Sequence, residues 1–330
     1  MKKGSSTLSS SKETVSFFNL FLKLLLIQCV VGTAFFSSIY VWERRHAYAP
    51  YQTESILRVI PYQQNVDLLI LGTSHGRIYS RNRNEEIVEG ILQKRIVNAS
   101  IGGGGGVIPA QVSLETFFAR GNKTRYVIYF LDAWVFNSTK WNEDFFPMTE
   151  EEPLEWDFFT RLLDHGFSRS VLLAYFRSKL TSRWLTMRPS AGVELRREYL
   201  ARRDPEAVAK RLGVLYQGKT SEIVFQRYWQ HVLTMAHMIA NQNAQLLLIM
   251  PPSLLGTEPD TELLSKHVND LVSRSFEGGQ MQVIFKDFST AIQDPHLYYD
   301  HDHLNSAGIQ AITENYLKPL FAELDEPAIR

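Results

Sequence analysis

Cysteine is almost missing from this sequence. Cys29 is the only one in 330 residues, which excludes an internal disulfide and any cysteine-based zinc site. Because a chain without disulfides tolerates oxidising and reducing compartments alike, the shortage leaves location open. Net charge is missing too: Lys+Arg and Asp+Glu are equal at 35 each, so the chain lacks the basic footprint of a dedicated nucleic-acid binder. Nucleic acid is set aside as a partner. No internal repeat is visible, and the length suits one large α/β domain with insertions better than two small ones.

What the sequence does have begins at the N-terminus. Residues 1–16 are rich in Ser, Thr and Lys without an apolar period, and read as a disordered tail. From Phe17 to Trp42 the chain is apolar apart from Lys23, Gln28 and small hydroxyl residues. Leu24 to Trp42 alone has the length to cross a bilayer's hydrocarbon layer. Lys23 can snorkel to the headgroups at one end, while Tyr40 and Trp42 suit the opposite interface. The alternatives are a cleaved signal peptide, whose apolar region is usually shorter and ends in a small-x-small site, and a buried core helix. The expectation is a retained single-pass anchor over 17–42. Lys2, Lys3, Lys12 and Lys23, weighed against Arg44 and Arg45, put the N-terminus in the cytoplasm and the folded part outside the inner or plasma membrane. Residues 43–64 contain Pro50 and Pro61 and no clear period, so they read as a connector that lets the domain stand off the membrane.

The stretch that organises the remainder is Val66-Asp67-Leu68-Leu69-Ile70-Leu71-Gly72-Thr73-Ser74-His75-Gly76. A branched apolar run ended by glycine reads as a buried parallel strand with a tight exit, and Ser74 falls at its carboxyl end, where open α/β sheets bind ligands. A serine there needs a base. Asp300 and His303 stand three apart in Tyr298-Tyr299-Asp300-His301-Asp302-His303-Leu304-Asn305, ahead of an apolar-periodic segment, so one short loop can carry an imidazole and the carboxylate that orients it. His75 is the weaker candidate base, because side chains adjacent on a strand end tend to point apart. A metal reading of Asp300-His301-Asp302-His303 is the minor one. Four adjacent residues cannot converge on one ion without a strained turn, and no second His/Asp cluster is evident.

Between these blocks the α/β rhythm continues. Helical spacing runs over Glu85–Gln93, Pro109–Arg120, Glu222–Asn241 and Leu263–Ser275, with strands at Ile96–Ile101, Tyr126–Leu131, Gln245–Met250 and Val283–Phe285 and a final helix over Ser306–Leu324 capped by Asn305 or Ser306. Five glycines, Gly102 to Gly106, follow the second strand and let the backbone approach whatever Ser74 attacks; a flexible loop is the alternative. Residues 138–222 break the rhythm and form a helical insertion, with helices at Trp156–Leu163, Arg169–Leu185 and in Glu194–Leu212. Arg177, Lys179, Arg183 and Arg188 interleave there with Leu180, Trp184, Leu185 and Met187, as a solvated helix face or a surface for an anionic membrane or acidic polymer.

The pair Gly72-Thr73-Ser74-His75 and Asp300-x-x-His303-Leu304-Asn305 resembles the SGNH (GDSL-like) hydrolase superfamily, over roughly residues 65–320. That resemblance implies a three-layer, flavodoxin-like parallel sheet flanked by helices over 65–330, and a Ser74–His303–Asp300 triad without cofactor or metal. In that family the second block gives a glycine N–H to the oxyanion, a position matched by Gly102. The third block is Gly-x-Asn-Asp, but this chain has Leu131-Asp132-Ala133-Trp134, with Asn137 a few residues late. Asp132 would order the active-site loop or cap the following turn. The anchor together with the C-terminal Asp-x-x-His is similar to membrane-anchored envelope acyl-transfer proteins of the teichoic-acid D-alanylation and alginate O-acetylation types, the former more closely. The function implied is an extracytoplasmic serine esterase or O-acyltransferase on an acylated surface glycan, working beside a multi-spanning acyltransferase. The alternative is an inactive partner that binds a glycan or an acyl-export protein.

Overall fold

Val66 to Leu71 do form an interior strand, β1 (Asn65–Leu71), of a five-stranded all-parallel sheet in a computed structural model of the protein. The structure describes residues 10–45, 53–102, 105–144, 149, 151–180, 199–216, 221–256, 258–278 and 282–326. The chain divides into two units, Met1–Ala47 and Tyr48–Arg330.

Among the described residues the first unit is one helix, α1 (Ser10–Arg45), and its stretch Phe18–Phe35 is long and apolar enough to cross a membrane. Helix continues back to Ser10, through part of the segment whose composition suggested a disordered tail. The polar residues there lack an apolar face of their own and simply extend the apolar helix that follows.

In the second unit the connector expectation over 43–64 does not hold for residues 53–60. Thr53 to Ile60 are packed into the domain around a single helical turn, α2 (Ile56–Val59), with Ile56, Leu57 and Ile60 buried in its core. Each such aliphatic side chain stabilises the fold by roughly 1.5–3 kcal/mol. Ser55 caps the turn by accepting from Arg58 N, and the buried Glu152 accepts from Ser55 Oγ, Ile56 N at 2.8 Å and Leu57 N at 3.0 Å. Two prolines and no period concealed this, because a four-residue turn is too short to show one.

After β1 come α3 (Ser74–Arg77), α4 (Asn84–Leu92), β2 (Ile96–Asn98), α5 (Val107–Ala119) and β3 (Lys123–Phe130). The insertion supplies α6 (Trp156–Asp164), α7 (Arg169–Leu180) and α8 (Pro205–Leu215). Arg183, Trp184, Leu185, Met187 and Arg188 lie outside the described residues. Then follow α9 (Glu222–Asn241), β4 (Gln245–Met250), α10 (Thr261–Gly278), β5 (Val283–Asp287) and α11 (Ser306–Ile312). One π turn (Thr313–Leu317) joins α11 to α12 (Lys318–Asp325), within the stretch expected as a single helix.

The strand order is 2-1-3-4-5, the flavodoxin-like order. Along β1 and β3 the side chains alternate between two cores. Leu69, Leu71, Val127 and Tyr129 face α5, α9 and α10, whereas Leu68, Ile70, Tyr126, Ile128 and Phe130 face α4, α11 and α12. A strand buried on both faces reads as a continuous apolar run, which is why the periodicity of β1 was hidden and its burial was not. All five strands point the same way, so their exits gather at one edge of the sheet, with the topological switch between β1 and β3.

Candidate active site

The exit of β1 is shaped by one glycine. Gly72 has φ 137°, and a Cβ there would press on Phe130 of β3 at 3.0 Å. Only glycine fits this turn. It delivers Thr73 as the N-cap of α3 and Ser74 as its first residue, partly exposed. Ser74 Oγ lies 2.7 Å from His303 Nε2, across 229 positions of sequence.

His303 is held by its own loop. Its Nδ1 is 3.0 Å from both Asp300 carboxylate oxygens, and Asp300 Oδ1 also accepts from the backbone N–H groups of Asp302 and His303, each at 2.8 Å. Burial pushes the Asp300 carboxyl upward, but His303 and these hydrogen bonds outweigh it and hold the group below its ordinary value. Tyr298 and Leu304 form an antiparallel bridge that closes the loop, and Asn305 caps α11 by accepting from Gly308 N. The His303 ring stacks on Tyr299, at 5.3 Å, and on His75, at 5.0 Å.

With an acceptor carboxylate on Nδ1, the proton of the His303 ring sits there and Nε2 is free to accept from Ser74 Oγ–H. This hydroxyl–imidazole–carboxylate chain can take a proton from the serine as it attacks an electrophile.

The remaining sequence-derived candidates divide. Ile101 N donates to Gly72 O at 2.9 Å, which puts Gly102 beside the turn that carries Ser74. A Cβ on Gly102 would run into Arg81 Nη2 and Glu54 Oε2, so this glycine gives room to an ion pair as well. Gly103 and Gly104 lie outside the described residues. Asp132 does not cap the 3₁₀ turn that follows it. Its buried carboxylate accepts from Thr73 Oγ1 at 2.5 Å and meets His75 Nδ1 at 2.5 Å, ordering the loop around Ser74. Asn137 donates its amide to Asp260 Oδ2 at 2.6 Å, which ties it to the loop after β4.

Four features have tertiary roles that the sequence did not indicate. His75, set aside there as a base, is fully buried and placed between Asp132 and Asp302. Arg211 of α8 donates to Asp302 Oδ2 from Nε at 2.9 Å and Nη2 at 2.7 Å, so the insertion reaches the rear of the site. Glu54, from the supposed connector, pairs with Arg77 at 2.8 Å and Arg81 at 2.9 Å directly below Gly102. Glu258 accepts from Tyr216 OH at 2.8 Å, and burial together with the nearby Asp302 raises its carboxyl to about 7. Each is a pairing of residues more than 20 positions apart, for which a single sequence carries no signal.

Ligating atoms of His75, Asp302 and His303 come within 4.8 Å of one another. Both His75 nitrogens already face oxygens, however, and His303 Nδ1 faces Asp300, so these rings are committed to hydrogen bonds. His301 turns away, its Nε2 accepting from Asp204 N at 2.8 Å.

No protein-family model matches the chain, and no curated protein matches it. Among solved structures, a Bacteroides fragilis protein described as a "putative acylhydrolase" aligns over 80% of this chain and 91% of its own, with 8% identity and a TM-score of 0.40. At that level the likeness bears on neither chemistry nor substrate, which have to be argued from the side chains.

Proposed function

We propose that this protein is a serine esterase or O-acyltransferase, with Ser74 as nucleophile, His303 as general base and Asp300 as the carboxylate that orients it. The observation that carries the reading is the 2.7 Å contact of Ser74 Oγ with His303 Nε2, backed by the two 3.0 Å contacts of His303 Nδ1 with Asp300. A serine hydroxyl is a weak nucleophile near neutral pH, and this chain of groups supplies the base it needs. His303 takes the Oγ proton as the oxygen attacks an ester carbonyl, and Asp300 stabilises the imidazolium that forms. The backbone N–H groups of Ser74 and Gly102 are the donors proposed for the oxyanion. His303 then returns the proton to the leaving alcohol, and water or a sugar hydroxyl takes the acyl group from Ser74.

The resemblance to SGNH-like envelope proteins, taken with an N-terminal helix long and apolar enough to cross a membrane, supports an extracytoplasmic site and an acylated surface glycan as substrate. A multi-spanning acyltransferase is the partner this reading calls for.

A second reading, a non-catalytic partner that binds a glycan or an acyl-export protein, is favoured by one observation. Asp132 stands where the family places an oxyanion-donating asparagine, and Asn137 is engaged with Asp260. A fluorophosphonate probe applied to the full-length protein in membranes separates the two. Labelling that disappears in Ser74→Ala supports the enzyme. No labelling of wild type, or equal labelling of both, leaves the binding reading.

A further inference from the structure

We propose that His75 is a positioning residue: as a doubly protonated imidazolium it clamps the loop bearing His303 to the turn bearing Ser74. The geometry fixes its protonation. Nε2 lies 2.6 Å from the backbone carbonyl oxygen of Asp302, which can only accept, so this nitrogen carries a proton. Nδ1 lies 2.5 Å from Asp132 Oδ1, a carboxylate that also accepts from Thr73 Oγ1. Asp302 Oδ1 completes the bracket at 3.2 Å from Nε2. Two donations into oxygens on opposite sides of a buried ring define the charged form.

The surroundings agree with this charge. The groups facing His75 are Asp132 from the end of β3, Asp302 and His303 from the closing loop, and Glu258 from the loop after β4, with Arg211 of α8 behind Asp302. Burial alone would strip the proton from His75, but Asp132 and Asp302 more than reverse this and lift its value well above the ordinary 6.5. Asp302 is likewise held far below its ordinary range: burial opposes the charge, and His75, His303 and Arg211 overcome it. The clamp is therefore charge-balanced and joins three loops that leave the same sheet edge. Its ring stacks on His303 while its two nitrogens face Asp132 and Asp302, so it acts through the base and not on the reacting atoms.

The role in catalysis rests on the esterase reading above, but the clamp itself does not, and the experiment keeps them apart. Full-length wild type, His75→Gln and Asp132→Asn are compared in detergent micelles by fluorophosphonate labelling rate from pH 6 to 10 and by hydrogen exchange of the peptide covering 298–304. Glutamine keeps the bulk and one donor but not the charge. Both variants are expected to label at least tenfold more slowly at pH 7 with unchanged probe saturation, and to lose protection in 298–304 while the strands keep theirs. The wild-type rate is expected to fall at alkaline pH as His75 loses its proton, and that fall to vanish from the remaining activity of His75→Gln.

Unchanged protection of 298–304 in a folded variant overturns the clamp. So does labelling within twofold of wild type with the same pH profile. If wild type does not label but the variants still loosen 298–304 alone, the clamp stands and the esterase reading fails. If His75→Gln does not fold, Asp132→Asn and the wild-type alkaline fall decide, and normal exchange in the first or no fall in the second overturns the proposal.

Discussion

Arg211 Nη2 lies 2.7 Å from Asp302 Oδ2, and through this pair the helical insertion takes hold of the loop that carries His303. Arg211 is about one-third exposed, so solvent weakens its attraction, whereas Asp302 is almost fully buried. Arg211→Gln is expected to lower stability by about 1–2 kcal/mol at pH 7, the scale of a lost hydrogen bond to a charged group. Chemical denaturation at low and high salt checks this, and the loss should shrink as salt rises.

Asp300→Asn keeps the shape of the carboxylate and removes its charge. With an amide beside Nδ1 the imidazole is no longer held as the tautomer that presents Nε2 to Ser74. Ester hydrolysis or probe labelling should fall on the order of 10²–10⁴-fold, as kcat rather than KM, while the thermal midpoint falls only slightly because the amide oxygen can still accept from the N–H groups of Asp302 and His303.

Glu258 carries a pH signature. Its carboxyl titrates at about 7 in the folded chain against 4.5 ordinarily, so folding binds an extra proton between those values. Its contribution favours the fold below pH 4.5 and is lost as pH climbs through 7. Glu258→Gln should therefore flatten the decline in stability between pH 5 and 8, and make the variant the more stable chain at pH 8. Urea unfolding at a series of pH values reads it directly, and an unchanged slope would count against the assignment.

Gly72→Ala puts a Cβ against Phe130 in a backbone conformation that L-residues avoid. A loss of about 1–3 kcal/mol is expected from the strain alone. Since the turn aims Ser74, labelling should fall further than stability does, which a comparison of denaturation midpoints with labelling rates would detect.

The proposed membrane anchoring is checked by carbonate extraction. The full-length chain should stay in the pellet, and its release by the wash would speak against the tether.

Much of the sheet could be read from the sequence because its strands are unusually explicit: Gln245–Met250 and the helix Glu222–Asn241 fall where their apolar patterns put them. The closeness of Ser74 and His303 was inferred from two blocks at opposite ends of the domain, each legible from its own neighbours. What stayed hidden is tertiary. His75 is ordinary in sequence, and only the fold gives it two acceptors on opposite sides. Asp132 was open between cap and organiser, and the choice depended on Thr73 and His75 arriving from β1. Asp204 and Pro205 are the N-cap and first residue of α8, and nothing in their own neighbourhood tells that this helix brings Arg211 to Asp302.

The Thr53–Ile60 segment governs how this protein can be trimmed. Cutting just before β1 would remove every donor that Glu152 accepts from in that segment, strip Glu54 from Arg77 and Arg81, and bare the pocket filled by Ile56 and Leu57. A soluble fragment meant for crystallisation or inhibitor screening should therefore begin ahead of Thr53, and one that starts at residue 65 should aggregate during expression.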